Sequence, residues 1–315
     1  MLVLRLLRNA LLVAVGGVLL FVLWLCFVWP PPSWYRNHWP ARTAFMQMRE
    51  GHARATRDTT SRRYQPVPLD SMSHWLAQAA TVGEDDDFFQ HHGVDWHALR
   101  QAAGYPRDSF SWSSPRDRAD FQRTLRIAYA RRDKLRGAST ITQQLAKNLY
   151  LSPSRNPLRK IKEAVIAYRL EWALSKERIM ALYLNVAEFG PNLWGVEAAS
   201  RRYFDRGAGD LSMDQAAMLV ATLPHPLTSN PALRPGRTRW RQQLILRRLR
   251  GEDIVVPAEV DDSIITAPPT PVVVPVPFES VPPPPDSTLL PRPPDSLPPP
   301  VPRDTIKPET KPPAM

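Results

Sequence analysis

Three stretches of this chain carry the side chains that handle sugars and phosphates. The first reads Gly137-Ala138-Ser139-Thr140-Ile141-Thr142-Gln143-Gln144-Leu145-Ala146-Lys147-Asn148, and five of the six residues from Ser139 to Gln144 bear a hydroxyl or an amide. Ser and Thr are mediocre helix formers, so a soluble helix does not call for such a run. Hydroxyls, amides and one ammonium suit a ligand rich in oxygen acceptors, a sugar or a phosphate. The second stretch is Glu84-Asp85-Asp86-Asp87-Phe88-Phe89-Gln90-His91-His92-Gly93-Val94-Asp95. Its four adjacent carboxylates repel one another, which should raise the pKa of at least one toward the range of a general base. A solvated acidic helix end is the plainer reading of the same residues. The third is Arg159-Lys160-Ile161-Lys162-Glu163. Its cations should depress the Glu163 pKa and keep it ionised, which makes it an orienter or a ligand for a divalent metal. An exposed Arg159–Glu163 pair at i, i+4, worth about 0.3 kcal/mol, is the plainer reading there. Lys147, Arg155 and Arg159 form a cationic cluster of the kind a departing pyrophosphate needs, although a basic face near anionic lipid has the same composition. His91, His92 and His97 are not read as a metal site, because adjacent histidines on a helix cannot both face one ion and no cysteine assists.

Helices must position these groups. Ser71 to Gly83 carries Trp75, Leu76, Ala79 and Val82 at helical spacing behind a Ser cap, and delivers the chain to Glu84. Pro157 to Leu174 starts with a first-turn proline. There Leu158, Ile161, Val165, Tyr168 and Trp172 form a stripe expected to hold the helix to the core, with Arg159 and Glu163 on the opposite side, toward a cleft. Ser175 caps a helix carrying Ile179, Leu182, Tyr183 and Val186. Leu211 to Leu223 and Arg239 to Leu249, the latter capped by Thr238, are further helices. Period-two alternation is scarce, so the fold class is mainly α. Tyr105 to Ser114 breaks the pattern and Arg116 to Arg136 is densely charged, which reads as an insertion or mobile loop beside the polar run.

Upstream, Ala10 to Trp29 is a 20-residue uncharged run preceded by Arg5 and Arg8. It reads as an uncleaved transmembrane anchor within residues 1–30, with a cytoplasmic N-terminus; a buried core helix is the alternative. Pro30-Pro31-Pro32 stops it, and Trp29, Trp34, Tyr35 and Trp39 are expected at the outer interface. Residues 31–63 read as a polar juxtamembrane connector and 64–252 as the main domain. Residues 253–315 form a Pro-rich tail with more than half of the chain's 35 prolines. That tail cannot bury a core and is expected to be extended and disordered, either a docking site or a plain solvated end. Cys26 is the single cysteine, so no intramolecular disulfide forms. The net charge of +11 fits a membrane surface or phosphate substrates. Without zinc spacing, an RRM pattern or a phosphate-loop glycine pattern, nucleic acid is not the expected partner.

Taken in order, the motifs resemble those of the family 51 glycosyltransferases, the peptidoglycan glycosyltransferases, and most of all their monofunctional biosynthetic branch in Gram-negative bacteria. The residues that carry the resemblance are Glu84-Asp85-x-x-Phe88 through His91-x-Gly93-x-Asp95; Gly137-x-Ser139-Thr140-Ile141-Thr142-Gln143-Gln144 with Lys147-Asn148; Arg159-Lys160-x-x-Glu163; and Ile179 with Tyr183-Leu184-Asn185. The stretch from Glu188-Phe189-Gly190 through Gly195-Val196-Glu197-Ala198-Ala199 to Tyr203-Phe204 continues it. The resemblance covers residues 64 to 250 and is specific, since several motifs occur in order. It implies a lysozyme-like, mainly α fold with a cleft between two lobes. It implies Glu84 as general base toward the 4-hydroxyl of lipid II, with undecaprenyl pyrophosphate displaced from the growing glycan strand by inversion. It further implies Lys147 and Arg155 at the pyrophosphate, Ser139, Gln143, Gln144, Asn148 and Arg159 as substrate contacts, and Glu163 as a second essential carboxylate. No cofactor is required, a divalent metal (Mg or Mn) at Glu163 being left open. The setting implied is the bacterial inner membrane, with the catalytic domain in the periplasm and cell-wall synthesis or division proteins as candidate partners of the tail.

The chain departs from the pattern at Ala138, where glycine is common, at Ala181, where many members have Glu, and at Asp86 and Asp87. Tyr105 to Lys134 is longer than the pattern, and the tail has no counterpart. No Ser-x-x-Lys or Lys-Thr-Gly motif is present, so a transpeptidase domain is not expected. Two other classes use the same residues less well. A lytic, lysozyme-like enzyme cutting glycan from one Glu has no need of the cationic cluster, and a non-enzymatic membrane scaffold needs none of Glu84, Lys147, Arg155 and Glu163.

Overall fold

The computed structural model describes residues 2–55, 61–105, 111–130, 139–151 and 157–254. Arg155, Ala138 and the Pro-rich tail beyond Ile254 lie outside the described residues. The chain is mainly α, as its periodicity predicts. Helix α1 (Leu2–Cys26) contains Arg8–Cys26, with mean hydropathy 2.4 and none of it buried. Among the described residues it is the one helix long and apolar enough to span a bilayer.

The connector is more ordered than its composition suggests. A 3-10 turn (Pro32–Arg36) follows α1, then α2 (Ala44–Ala55). Arg36 donates to the carbonyl of Ala173 at 2.9 Å, and Arg178 to those of Tyr35 at 2.7 Å and His38 at 2.9 Å while lying 3.9 Å over the Trp39 ring. Tyr35 is buried and Trp39 packs on the main core, so both belong to the fold instead of a membrane interface; Trp29 and Trp34 remain exposed. Thr43 accepts from the Met46 N–H at 3.1 Å and caps α2. Phe45 and Met46 then form a second small core with Trp194. Two apolar side chains flanked by charge are too few for a periodicity argument, which is why this helix reads as connector.

Strand β1 (Arg63–Tyr64) runs parallel to β3 (Leu193–Trp194), which pairs antiparallel with β2 (Glu188–Gly190). Gly195 follows at φ +80°, where a Cβ would stand 2.5 Å from the Asn185 carbonyl oxygen; only glycine fits. Between β1 and β2 come α3 (His74–Glu84), α4 (Trp96–Ala103), α5 (Pro115–Ala130), α6 (Ile141–Tyr150), α7 (Pro157–Ala173) and α8 (Lys176–Val186). After β3 come α9 (Val196–Phe204), α10 (Met213–Thr222) and α11 (Gly236–Leu249). Much of the stretch read as an insertion is thus the helix α5, packed on α4; residues 106–110 and 131–138 lie outside the described residues. Helices α3, α6, α8, α10 and α11 share one core.

Further expectations change. The helix read from Ser71 begins at His74, and Ser73 before it makes no side-chain cap bond, its hydroxyl donating to the Leu211 carbonyl at 2.8 Å. The polar run is itself a helix, α6: Thr140 accepts from the Gln143 N–H at 3.1 Å while the Gln143 side chain accepts from the Thr140 N–H at 3.2 Å, a capping box. Thr238 is no cap: α11 begins at Gly236, and the buried Thr238 hydroxyl meets that of Ser229 at 2.8 Å. The apolar stripe of α7 faces outward. Leu158, Ile161, Tyr168 and Trp172 are exposed, Trp172 by 91%, whereas Glu163, Ile166, Ala167 and Leu170 are buried. Periodicity finds an apolar face without saying what covers it. Here α1 runs alongside, with Lys162 lying 4.4 Å over the Trp24 ring and Arg169 donating to the Cys26 carbonyl.

Asn185, fully buried at the end of α8, joins α8 to the segment before α3. Its amide accepts from the Val67 N–H at 2.9 Å and donates to the carbonyls of Val67 at 2.8 Å and Ala181 at 2.7 Å. Asn185→Ala strands these groups and is expected to cost about 2–4 kcal/mol, read as a lowered denaturation midpoint with an unchanged m-value.

Candidate functional site

Glu84 is the last residue of α3, and its side chain is 10% exposed. Close packing puts it there. A Cβ on Gly83 would approach Val220 of α10 to 3.0 Å and Ile245 of α11 to 3.1 Å, so the glycine lets both helices close on this end of α3. Oε2 accepts from Gln144 Nε2 at 3.0 Å, and Oε1 from Arg241 Nη2 at 3.1 Å. The Gln144 carbonyl accepts from the Tyr183 hydroxyl at 3.0 Å. Gln144, Lys147, Asn148 and Tyr183 line one cleft with Phe45 and Glu188.

Asp85 turns the other way. It is buried, accepts from the Ile141 N–H at the start of α6 at 2.8 Å, and meets His91 Nε2 at 2.9 Å. The Gly93 N–H reaches His91 Nδ1 at 3.2 Å, which assigns the remaining ring proton to Nε2, facing Asp85. Thr140 donates to the Gly93 carbonyl at 2.6 Å, and Asp95 caps α4 by accepting from the Ala98 N–H at 2.8 Å. His91 therefore works as a brace on Asp85. The carboxyl that is pushed up from its ordinary 3.8 is Asp86. Burial is the main cause; Arg248 opposes, and Asp87 and Asp85 add smaller pushes. Asp86 also pairs with Arg248 at 3.2 Å.

Glu163 is 3% exposed, which replaces the surface-pair reading with a buried cluster. Oε2 accepts from Arg159 at 2.8 Å and Oε1 from Lys160 at 2.6 Å; Lys160 also donates to Ser139 at 2.6 Å. The polar run thus meets both carboxylates, Glu163 by way of Ser139 and Lys160, and Glu84 through Gln144. Gln143 is buried and bonded to its own helix end, while Lys147 lies 5.7 Å from the Phe45 ring centroid at the cleft. Arg159 belongs to the Glu163 group. A divalent metal fits poorly at Glu163, since each carboxylate oxygen already holds a cation and no three His, Cys, Asp or Glu side chains gather among the described residues.

Sequence reasoning overlooks Arg49 and Arg241. Arg49, in α2, makes a two-pronged pair with buried Glu188 at 3.0–3.2 Å. Arg241 is 1% exposed. Its signal lay in α11, where Thr238, Arg241, Gln242, Ile245 and Leu246 recur at helical steps on the buried face: an arginine occupies a core position.

Comparison with known proteins identifies the family. The family described as Transglycosylase matches residues 50–109 and 110–250. A protein of Bordetella pertussis named "Biosynthetic peptidoglycan transglycosylase" is 37% identical over 250 residues, covering 79% of this chain and 95% of the relative. Proteins of the same name from Aromatoleum aromaticum (37% over 220 residues; 70% and 86% covered) and Thiobacillus denitrificans (36% over 253 residues; 80% and 97%) align similarly. With its lysozyme-like, mainly α domain, the chain belongs to the transglycosylase family of glycosyltransferases.

Proposed function

We propose that this protein polymerises peptidoglycan glycan chains from lipid II at the bacterial inner membrane, with Glu84 as general base. The observation that carries the reading is a well-shielded carboxylate, fixed at both oxygens, beside a cleft that holds Lys147 and Asn148. In the proposed step Glu84 takes the proton of the acceptor 4-hydroxyl. The freed oxygen forms a bond to the anomeric carbon of the growing strand. The bond from that carbon to the pyrophosphate breaks, its electron pair leaves on undecaprenyl pyrophosphate, and the configuration inverts. Lys147, together with Arg159 and Lys160 held by Glu163, is assigned to the charge that develops on the leaving group. Arg155, outside the described residues, is assigned there by motif alone. No metal enters a step.

The setting proposed is a single pass of α1, N-terminus in the cytoplasm and catalytic domain in the periplasm. The outward face of α7 supports it, because Leu158, Ile161 and Trp172 present bare apolar surface on the helix that packs against α1. Lipid is the solvent in which such a face is stable. The Pro-rich tail is proposed to reach cell-wall synthesis or division proteins.

Purified full-length protein incubated with lipid II in detergent is expected to give high-mass glycan, and Glu84→Gln none. Substantial polymer from Glu84→Gln removes the base assignment, and shortening of preformed glycan by the parent moves the chain to the lytic class. Because that variant leaves Arg241 without its counter-charge, it is also expected to lose about 1–3 kcal/mol of stability. The double variant Ile161→Ser/Trp172→Ser is expected to lose about tenfold in rate on liposomes, consistent with ~1.4 kcal/mol of lost apolar burial, while staying within about twofold of the parent in detergent. Equal losses in both media would contradict the membrane role of α7.

A further inference from the structure

We infer that Arg241 is the positioning residue of Glu84, an assignment that rests on the reading of Glu84 as general base. The two lie 157 residues apart, and packing alone brings them together. One guanidinium nitrogen, Nη2, donates both to the Gly83 carbonyl and to Oε1 of Glu84. The donor is thus anchored on the peptide unit immediately before the carboxylate it holds. Gln144 grips Oε2 from α6, so donors on two different helices set the plane of the carboxyl group. An ionised carboxylate has about four lone-pair directions; one protein donor on each oxygen leaves directions open for an incoming hydroxyl.

The charge matters as well as the geometry. A guanidinium stays protonated at all working pH values, so its hydrogen bond to Glu84 is charge-assisted. Gly83 serves the same end, since its missing Cβ is what allows Ile245, one turn beyond Arg241, to close on α3. Lysine would supply its charge from the end of a flexible stem, without the planar group that orients Nη2.

The test compares the parent with Arg241→Lys, Arg241→Gln and Glu84→Gln, all full-length in detergent. It measures lipid II affinity, turnover and melting temperature, with turnover normalised to folded protein. Expected for Arg241→Gln is a Kd for lipid II within about threefold of the parent and a fall in kcat of about 10²-fold, the scale of an ångström-level misplacement. Arg241→Lys should recover part of that loss. Parent-like kcat in folded Arg241→Gln, beside an inactive Glu84→Gln, overturns this assignment alone. Turnover by Glu84→Gln overturns the base reading and takes this assignment with it. A purely structural role would appear as a loss of folded protein at unchanged kcat, which also overturns it. If Arg241→Gln does not fold, Arg241→Lys decides: lowered kcat at unchanged Kd supports the assignment, and parent-like kcat ends it.

Discussion

The hydrogen bond from the Ile141 N–H to Asp85 is the constraint on which the site depends. The first N–H groups of a helix have no partner within it, and the helix dipole favours a negative charge there by about 0.3–1 kcal/mol at the surface and more when buried. Asp85 supplies that charge to α6 from a turn 56 residues earlier. Once it is held by α6 and by His91, the residue before it has little freedom. Glu84 must leave the end of α3 on the side where Gln144, one turn into α6, can reach it. Adjacent carboxylates thus take different tasks: one neutralises a helix end, the other is held by Gln144, a residue of the cleft lining.

Seen from α6, the polar run organises the site more than it presents ligand groups. Thr140 and Gln143 close the helix end, and Thr142 bonds to Glu171 at 2.6 Å, which in turn meets Lys176 at 2.7 Å. Of the five hydroxyl and amide residues, Ser139 and Gln144 remain for the two carboxylate groups. The same wiring balances charge. Glu84 is paired with Arg241, Asp85 bridges His91 and a helix end, and Glu163 holds Arg159 and Lys160. Leaving any of these acids buried alone would cost several kcal/mol.

What could be read from the sequence follows from the range of each signal. Helices with long stripes or capping residues, such as α8 behind Ser175, are local facts and were legible; so was α10, though its Ser212 cap was not singled out. So was the mainly α class, and Glu84 and Glu163 stood out through their unusual neighbours. The outward turn of α7 was not legible. Its stripe is as periodic as a core-facing one, and only the neighbouring α1 distinguishes a lipid-facing surface from a protein-facing one. Arg241 stayed hidden for a related reason: α11 is crowded with arginines, and only its helical spacing from Thr238, Ile245 and Leu246 sets it apart from the others. Thr238 shows the converse, a residue of capping type that tertiary contacts use elsewhere.

The connector bears most directly on how the anchor and the cleft work together. Phe45 of α2 lines the cleft, with Lys147 Nζ at 5.7 Å and the Arg49 guanidinium at 5.2 Å from its ring centroid, and Arg49 is locked to buried Glu188. One wall of the cleft is therefore built from the segment between α1 and the main domain. That segment is fastened again where Arg36 and Arg178 bind backbone carbonyls across it. A connector held at both points cannot act as a slack tether, whose ends would wander by roughly 5–6 Å times the square root of its length. The cleft is thus kept at a set height and orientation relative to α1.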